Sequence, residues 1–592
     1  RGLGDVYKRQ LYTRMAYVRE NHWKLTHLLN YNQTFYKHDI GMLLGFEEER
    51  FVKRTTDTAK LGLIDSSVGD PSSATTPSSI GGTGEEFTSR SYFGRINYAF
   101  DSRYLFEVNM RYDGSSRFAP DNRWGLFPSF SAGWRISEER LMKGLPIDNL
   151  KLRASWGKLG NNAIGNYEWQ AVYNSAKYAF GGSLNNGLAI TSISNNLLEW
   201  ESTAITNIGI DFATLRNRLT FEAEFYNKVT DGILYRPDMY MSLGTASGPR
   251  QNIAEVTNRG IEMTLNWQDR IGKVEYRVSG NFAYNQNKVS KYKGELQRGW
   301  VTDENGNRIY QTNIGDVSTG GSTRVIEGKM INEYYMLQPY KGNGNGFNAD
   351  GTVNINGGPR DGMIRTVDDM KWLNAMVGAG YKFYPRQNVS KSGIWYGDYI
   401  YADLNGDGVY GNDADNEFQG CSNVPKYNFG LQASANWKGF DFSMNWSGAA
   451  GFKIYYYRLA LNSSATIKGY AIGEAIANDH YFFDPKNPND PRTNLSSKNP
   501  RLTNNSGNDQ SGMTQSSVHL QKGDYIKLKN LTIGYTLPAV LSKKVYAQNI
   551  RFFASGENLF TITGYEGMDP EMRTAVGYST MRQYAFGVNI TF

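Results

Sequence analysis

The chain has 592 residues, among them 40 Tyr, 29 Phe, 12 Trp, 64 Gly and 17 Pro, a composition that favours pleated strands and tight turns. The net charge of +7 is spread over 64 basic and 57 acidic residues without a basic tract, so nucleic acid is not indicated as a partner. The single cysteine, Cys421, rules out an internal disulfide framework, and five scattered histidines argue against a His-rich metal centre.

No uninterrupted apolar run approaches the roughly 18 residues of a spanning helix, which excludes helical membrane proteins. The mean hydropathy of -0.55 would read as soluble, but a barrel shows lipid only every second residue, so the average hides the lipid face.

In chain order, Arg1 to Gln10 show no periodicity and are read as an appended, non-native leader; residues 11–592 form the fold. The absence of a signal peptide suggests a chain that starts partway through a longer protein. A first strand is expected around Tyr12 to Phe35. Next, Tyr92, Ile96, Tyr98 and Phe100 alternate with Arg95, Asn97 and Asp101. Then Tyr104, Phe106, Val108, Met110 and Tyr112 alternate with Glu107, Asn109 and Arg111, Leu105 being the exception. The same period of two returns at Leu219–Phe225, Ile261–Trp267 and Phe440–Trp446. It closes the chain at Tyr584, Phe586, Val588, Ile590 and Phe592.

A soluble sandwich also alternates, so connection lengths must decide between the two. Short turns are expected near Asp101–Ser102, Leu215–Arg218, Asp269–Lys273 and Lys438–Gly439. Long polar stretches lie between them: Thr55–Phe87, Leu159–Asn196, Ser290–Val424 and Tyr455–Leu520. Short turns on one side and long loops on the other describe a transmembrane barrel, with the turns periplasmic and the loops outside. The expected fold is therefore all-β: a large antiparallel transmembrane β-barrel, about 15 strands of the roughly 22 in large transporter barrels. The remaining strands and the plug domain are expected to lie outside this chain.

Several stretches resemble SusC/RagA-type TonB-dependent transporters. They include SYFGRINYAF, RYDGSSRFAP and WGLFPSFSAGWRISEE between Ser91 and Glu139, and LKLRASWGKLGNN at Leu150–Asn162. NRGIEMTLNW at Asn258–Trp267, YADLNGDGVYGND at Tyr401–Asp413 and FFASGENLFTITGYEGMDPE at Phe552–Glu571 extend the series. The resemblance implies an outer-membrane location in a Gram-negative-type bacterium, and no enzyme. It implies a plug with a TonB box, drive from TonB-ExbB-ExbD, and a SusD-like surface lipoprotein as lid. It also implies a glycan cargo, or less often a peptide. The alternative reading of the residues is a secreted carbohydrate-binding or adhesive β protein.

Two candidate sites stand out. Asp403, Asn405, Asp407 and Gly408 form a D-x-N-x-D-G run whose side-chain oxygens, with the Val409 carbonyl, could wrap calcium. Position twelve is Ala414 rather than Glu, leaving Asp413 or Asp415 to supply the last carboxylate; the competing reading is a polar turn. Tyr455, Tyr456, Tyr457, Tyr481 and Phe482 are candidate ligand contacts, since rings stack on sugars, although Tyr is equally expected in a membrane-interface belt. Glu222 and Glu224 share a strand face, but a wall of charges explains them better than a glycosidase pair. No catalytic residue and no cofactor other than possible calcium is expected.

Overall fold

The computed structural model describes residues 12–63, 65, 67–235, 248–292, 296–302, 308–315, 317–318, 323–325, 327–384, 388–456, 474–503, 516–574 and 578–592. The expected leader and Tyr457 lie outside the described residues.

Fifteen long strands carry the fold: β1 (Tyr12–Phe35), β2 (His38–Leu63), β3 (Ala74–Phe100), β4 (Tyr104–Ser115), β5 (Trp124–Arg135), β6 (Ile147–Asn161), β7 (Glu201–Thr214) and β8 (Leu219–Tyr235). They continue as β9 (Gln251–Ile271), β10 (Val274–Tyr292), β11 (Tyr427–Trp437), β12 (Phe440–Ala450), β13 (Tyr525–Thr536), β14 (Asn549–Thr563) and β15 (Gln583–Thr591). They form one sheet in which each strand neighbours the next in sequence, with antiparallel registers such as Tyr98 opposite Phe106. Among the described residues no helix is long and apolar enough to cross a membrane.

The short turns fall where expected. Asp101 and Ser102 have φ of 51° and 52°, and Lys438 and Gly439 have 47° and 90°. Successive left-handed residues match the right-handed twist of flanking strands, which fixes the register of each hairpin.

The stretch Thr55–Phe87 is not a loop. β2 and β3 are 26 and 27 residues long and stay paired from His38 opposite Phe100 out to Leu63 opposite Ala74. A strand crosses a bilayer in about 9–11 residues. The outer half of this hairpin therefore stands in water, where neither face needs apolar residues, and its Thr, Ser and Gly content hid it from a search for alternation.

By contact density the chain comprises two compact units, Arg1–Leu145, Asn149–Ile210 and Tyr226–Glu255 forming the first, and Pro146–Asp148, Asp211–Phe225 and Val256–Phe592 the second. In the first unit, Leu159–Asn196 contains a hairpin, Val172–Phe180 paired with Ser183–Ser192. Its turn is Gly181–Gly182, both at positive φ.

In the second unit, much of Ser290–Val424 and Tyr455–Leu520 condenses into a body with its own core. Trp372, Ile364, Leu373, Met376, Phe383 and Tyr401 are almost wholly buried there. Its helix α1 (Val367–Gly378) starts at a capping box: the Thr366 hydroxyl accepts from the Asp369 N–H, and the Asp369 carboxylate accepts from the Thr366 N–H. Met370, Leu373 and Met376 recur every third residue and bury one face of the helix; Gly380 beyond its end has φ 97°.

Candidate functional site

The main candidate surface is the strand wall of the first unit, and its exposure is inverted. Along β4 the apolar Tyr104, Phe106, Val108, Met110 and Tyr112 are exposed, while Leu105, Glu107, Asn109 and Arg111 between them are half-buried. Phe106 and Met110 keep 51% and 48% of their surface open. A water-soluble sandwich buries the apolar row, because each such side chain gains about 1.5–3 kcal/mol on leaving water. Here the apolar row faces outward, as it does when the solvent on that side is hydrocarbon.

Two belts of rings bound this row. Near the short turns, Tyr104 stacks between Phe100 at 6.3 Å and Trp134 at 6.5 Å. Near the loops, Trp124 stacks on Tyr112 at 4.8 Å and Tyr92 at 6.2 Å. Tyr104 and Tyr112 are eight residues apart on one strand, which is about 27 Å along it and about 20 Å of membrane depth at the usual tilt of 35–45°. Between the belts the outward side chains include Met42, Leu44, Ile96, Val108 and Phe130, all exposed. This is the apolar band and double girdle of a transmembrane barrel.

The opposite face of the same strands is polar. Arg111 binds Asp113 at 2.7 Å and the Ser91 hydroxyl at 2.9 Å, and Asn109 donates to Glu107 at 2.6 Å. Small residues, among them Gly41, Ala99, Ser131 and Gly133, leave a recess of about 870 Å³ on this face. Asn97 borders it, and its buried Oδ1 has no partner.

In the second unit, a charge cluster ties the β14–β15 loop to β13. The Lys527 ammonium, 1% exposed, donates to Asp569 at 2.7 Å and Glu571 at 2.8 Å, and Lys529 reaches Glu571 at 2.6 Å. No motif search would have found Lys527. Its signal is a lysine inside a strand, opposed by a later D-x-E.

The D-x-N-x-D-G run forms a tight turn in which the carboxylates accept backbone N–H groups. Asp403 accepts from Gly406 and Gly408, and Asp407 from Val409 and the Asn412 amide. Burial works against the Asp407 charge, but bonds from Asn405, Val409 and Asn412 hold its pKa below the ordinary value. Asp415 is wholly buried and accepts from the Leu404, Gly411 and Asn412 N–H groups; burial outweighs those bonds and pushes its pKa up to about 6. Asp413 opens the short 3-10 turn that ends on Asp415. Among the described residues no three His, Cys, Asp or Glu side chains converge as a metal-binding group.

The aromatic candidates separate. Tyr455 packs edge-on to His519 at 6.0 Å, and Tyr456 to Tyr565 at 5.3 Å. Tyr481 is 1% exposed and its hydroxyl donates to the Arg365 carbonyl, so it serves the core of the loop body. Phe482 lies at the wall of a cleft of about 850 Å³, with Trp395, Tyr396, Phe483 and Arg492. The Arg492 guanidinium sits 4.6 Å from the Phe482 ring centre and is gripped by Asp490, whose carboxyl it holds down to about pKa 2. Trp395 and Tyr396 went unremarked in the sequence, where the pair lies in a region of scattered aromatics without periodicity.

The chain matches the family described as TonB dependent receptor-like, beta-barrel, over residues 3–559. TonB-dependent receptor P39 of Formosa agariphila is 29% identical over 95% of this chain and 52% of its own length. TonB-dependent receptor SusC of Bacteroides thetaiotaomicron is 27% identical over 85% of this chain and 43% of its own. The RagAB peptide transporter structure superposes with a TM-score of 0.73 at 21% identity, over 98% of this chain and 56% of that one. The chain thus spans about half the length of the curated relatives it matches. With the inverted wall, the paired aromatic belts and a match across nearly its whole length, the chain belongs to the TonB-dependent receptor β-barrel family, in its SusC/RagA-type branch.

Proposed function

We propose that this chain supplies wall strands and external loops of an active nutrient importer in the outer membrane, driven through TonB-ExbB-ExbD, rather than an enzyme. The observation that carries the reading is the inverted exposure of β4 between its two ring belts, which a secreted adhesive or carbohydrate-binding protein has no reason to build. The polar face then borders the lumen, where the recess beside Asn97 leaves room for a protein body or for cargo in transit.

A SusD-like surface lipoprotein is the proposed lid. The hairpin Val172–Ser192 offers it an exposed apolar surface at Tyr173, Leu184, Leu188 and Ile190. A glycan is favoured as cargo, as the resemblance to SusC/RagA-type transporters implies. A peptide is the second reading, favoured by the likeness to a transporter described as carrying peptides.

Calcium at Asp403, Asn405, Asp407 and Val409 is proposed on the donor set alone. Each carboxylate oxygen that accepts one amide there keeps a further lone pair that a cation could use.

The test is uptake of fluorescent oligosaccharides and peptides by cells expressing the full-length transporter. Accumulation that stops on deletion of TonB or collapse of the proton gradient supports import. Accumulation indifferent to both, or none with either cargo class, refutes it.

A further inference from the structure

The loop-body cleft is not a generic hollow. At about 850 Å³ it has the size of a small-molecule site, roughly 300–1,000 Å³. It is carried by a body with its own buried core, so its walls are held without help from the strand wall. Three structured segments meet there: Lys391–Tyr396, helix α2 (Glu474–Asn478), and the run from His480 to Leu502.

Its chemistry is mixed in a particular way. Trp395, half-buried, meets Tyr396 edge-on at 5.2 Å, and Tyr396 meets Phe483 edge-on at 5.1 Å, so the rings brace one another. The two guanidinium groups of the lining are already satisfied. Arg501 grips the buried Asp398 through two bonds of 2.8 and 2.9 Å and also donates to the Lys391 and Gly393 carbonyls. Arg492 grips Asp490 in the same two-pronged way. The remaining formal charges of the lining, Lys391 and Asp484, are of opposite sign. What stays on offer is a ring surface with neutral polar groups beside it: the Trp395 indole N–H and the Asn478 amide have no protein partner among the described residues.

We infer that this cleft is a binding site for an uncharged oligosaccharide, with a pyranose ring laid on Trp395 and its hydroxyls bonded by Asn478, His480 and Thr493. A sugar presents an apolar face of C–H groups and an equatorial rim of hydroxyls, which matches a ring flanked by neutral donors and acceptors. A neutral sugar needs no ionic partner, and here both guanidinium groups are held by aspartates of the same chain, while the remaining pair, Lys391 and Asp484, gives the lining no excess of either sign. The inference rests on the import reading and deepens it, placing a cargo contact on this chain itself rather than on the lid.

The experiment is calorimetric titration of the detergent-solubilised full-length transporter, without its lid, using maltohexaose, xylohexaose and mannohexaose, with acidic and neutral hexapeptides as comparators. Binding of at least one hexasaccharide is expected, with no heat from either peptide. Trp395→Ala should weaken it about tenfold or more, the loss of one well-packed aromatic anchor. Because Trp395 also touches the core, Ala477→Trp is the second variant: Ala477 is exposed and lines the cleft, so the larger ring fills the space without disturbing the body. It should abolish binding while the thermal transition stays unchanged. The inference is overturned if no hexasaccharide binds, if a peptide binds in its place, or if Ala477→Trp binds like the parent. TonB-dependent uptake that persists in Ala477→Trp cells would overturn this site alone; uptake independent of TonB would overturn the import reading.

Discussion

Placing a single lysine along β4 should trace the depth of the membrane. Val108 lies four residues from Tyr104 and four from Tyr112, so it stands midway between the ring belts, about 10 Å of depth from each at the usual tilt. A lysine on the lipid face costs about 2–4 kcal/mol at the midplane and about 0–1 kcal/mol near the interfaces. Val108→Lys should therefore be the most damaging, with Phe106→Lys and Met110→Lys intermediate and Tyr112→Lys nearly neutral in its charge cost. Asn109→Lys, one residue from the midpoint but on the polar face, should also be nearly neutral. A 3 kcal/mol loss is roughly a 150-fold shift in the folded-to-unfolded ratio, since about 1.4 kcal/mol is tenfold. The assay is the urea midpoint of each variant in lipid vesicles, followed by protease protection. A flat series, or Asn109→Lys costing more than Val108→Lys, would refute the assignment of faces.

Three further outcomes are expected. Trp372→Ala should destabilise the loop body by about 3–5 kcal/mol through the cavity it leaves, seen as faster proteolysis within 333–522 while the strand wall stays protected. Lys527→Met removes the partner of two carboxylates and should cost about 3–5 kcal/mol, releasing the β14–β15 loop to hydrogen exchange; Lys527→Arg should restore part of it. Asp415 has a folded pKa raised to about 6 from 3.8, so the folded body binds the extra proton between those values. Its stability should fall as pH rises through that window, by up to about 3 kcal/mol, and the slope should vanish in Asp415→Asn; a body that instead gains stability there contradicts the burial argument.

The sheet was legible wherever one strand face meets lipid and the other does not. Phe106, Val108 and Met110 recur with period two because hydrocarbon imposes it, and the left-handed pairs at Asp101–Ser102 and Lys438–Gly439 mark where strands reverse. Legibility failed where both faces share one solvent. The Thr55–Leu63 and Ala74–Phe87 arms are paired yet have no apolar period, and the Val172–Ser192 hairpin lies in a stretch expected to be a loop, with Gly181–Gly182 at its turn. The loop body escaped notice for another reason: Trp372, Tyr401 and Tyr481 converge from distant positions, and no local window contains their contacts. Tyr481 was expected at a ligand, but its hydroxyl found the Arg365 carbonyl and its ring the core. The run of acids from Asp403 to Asp415 shows the same limit, since donor spacing does not reveal that backbone amides already occupy the carboxylates.

The most direct measurement of the central claim is collisional quenching of nitroxide labels placed singly from residue 105 to 111 in lipid vesicles. Labels at 106, 108 and 110 should be relaxed by lipid-dissolved oxygen and ignored by a water-soluble nickel chelate, with the reverse at 107, 109 and 111. Equal access of the nickel chelate to both sets, or shielding of 106, 108 and 110 from both reagents, would mean that no lipid lies against this wall.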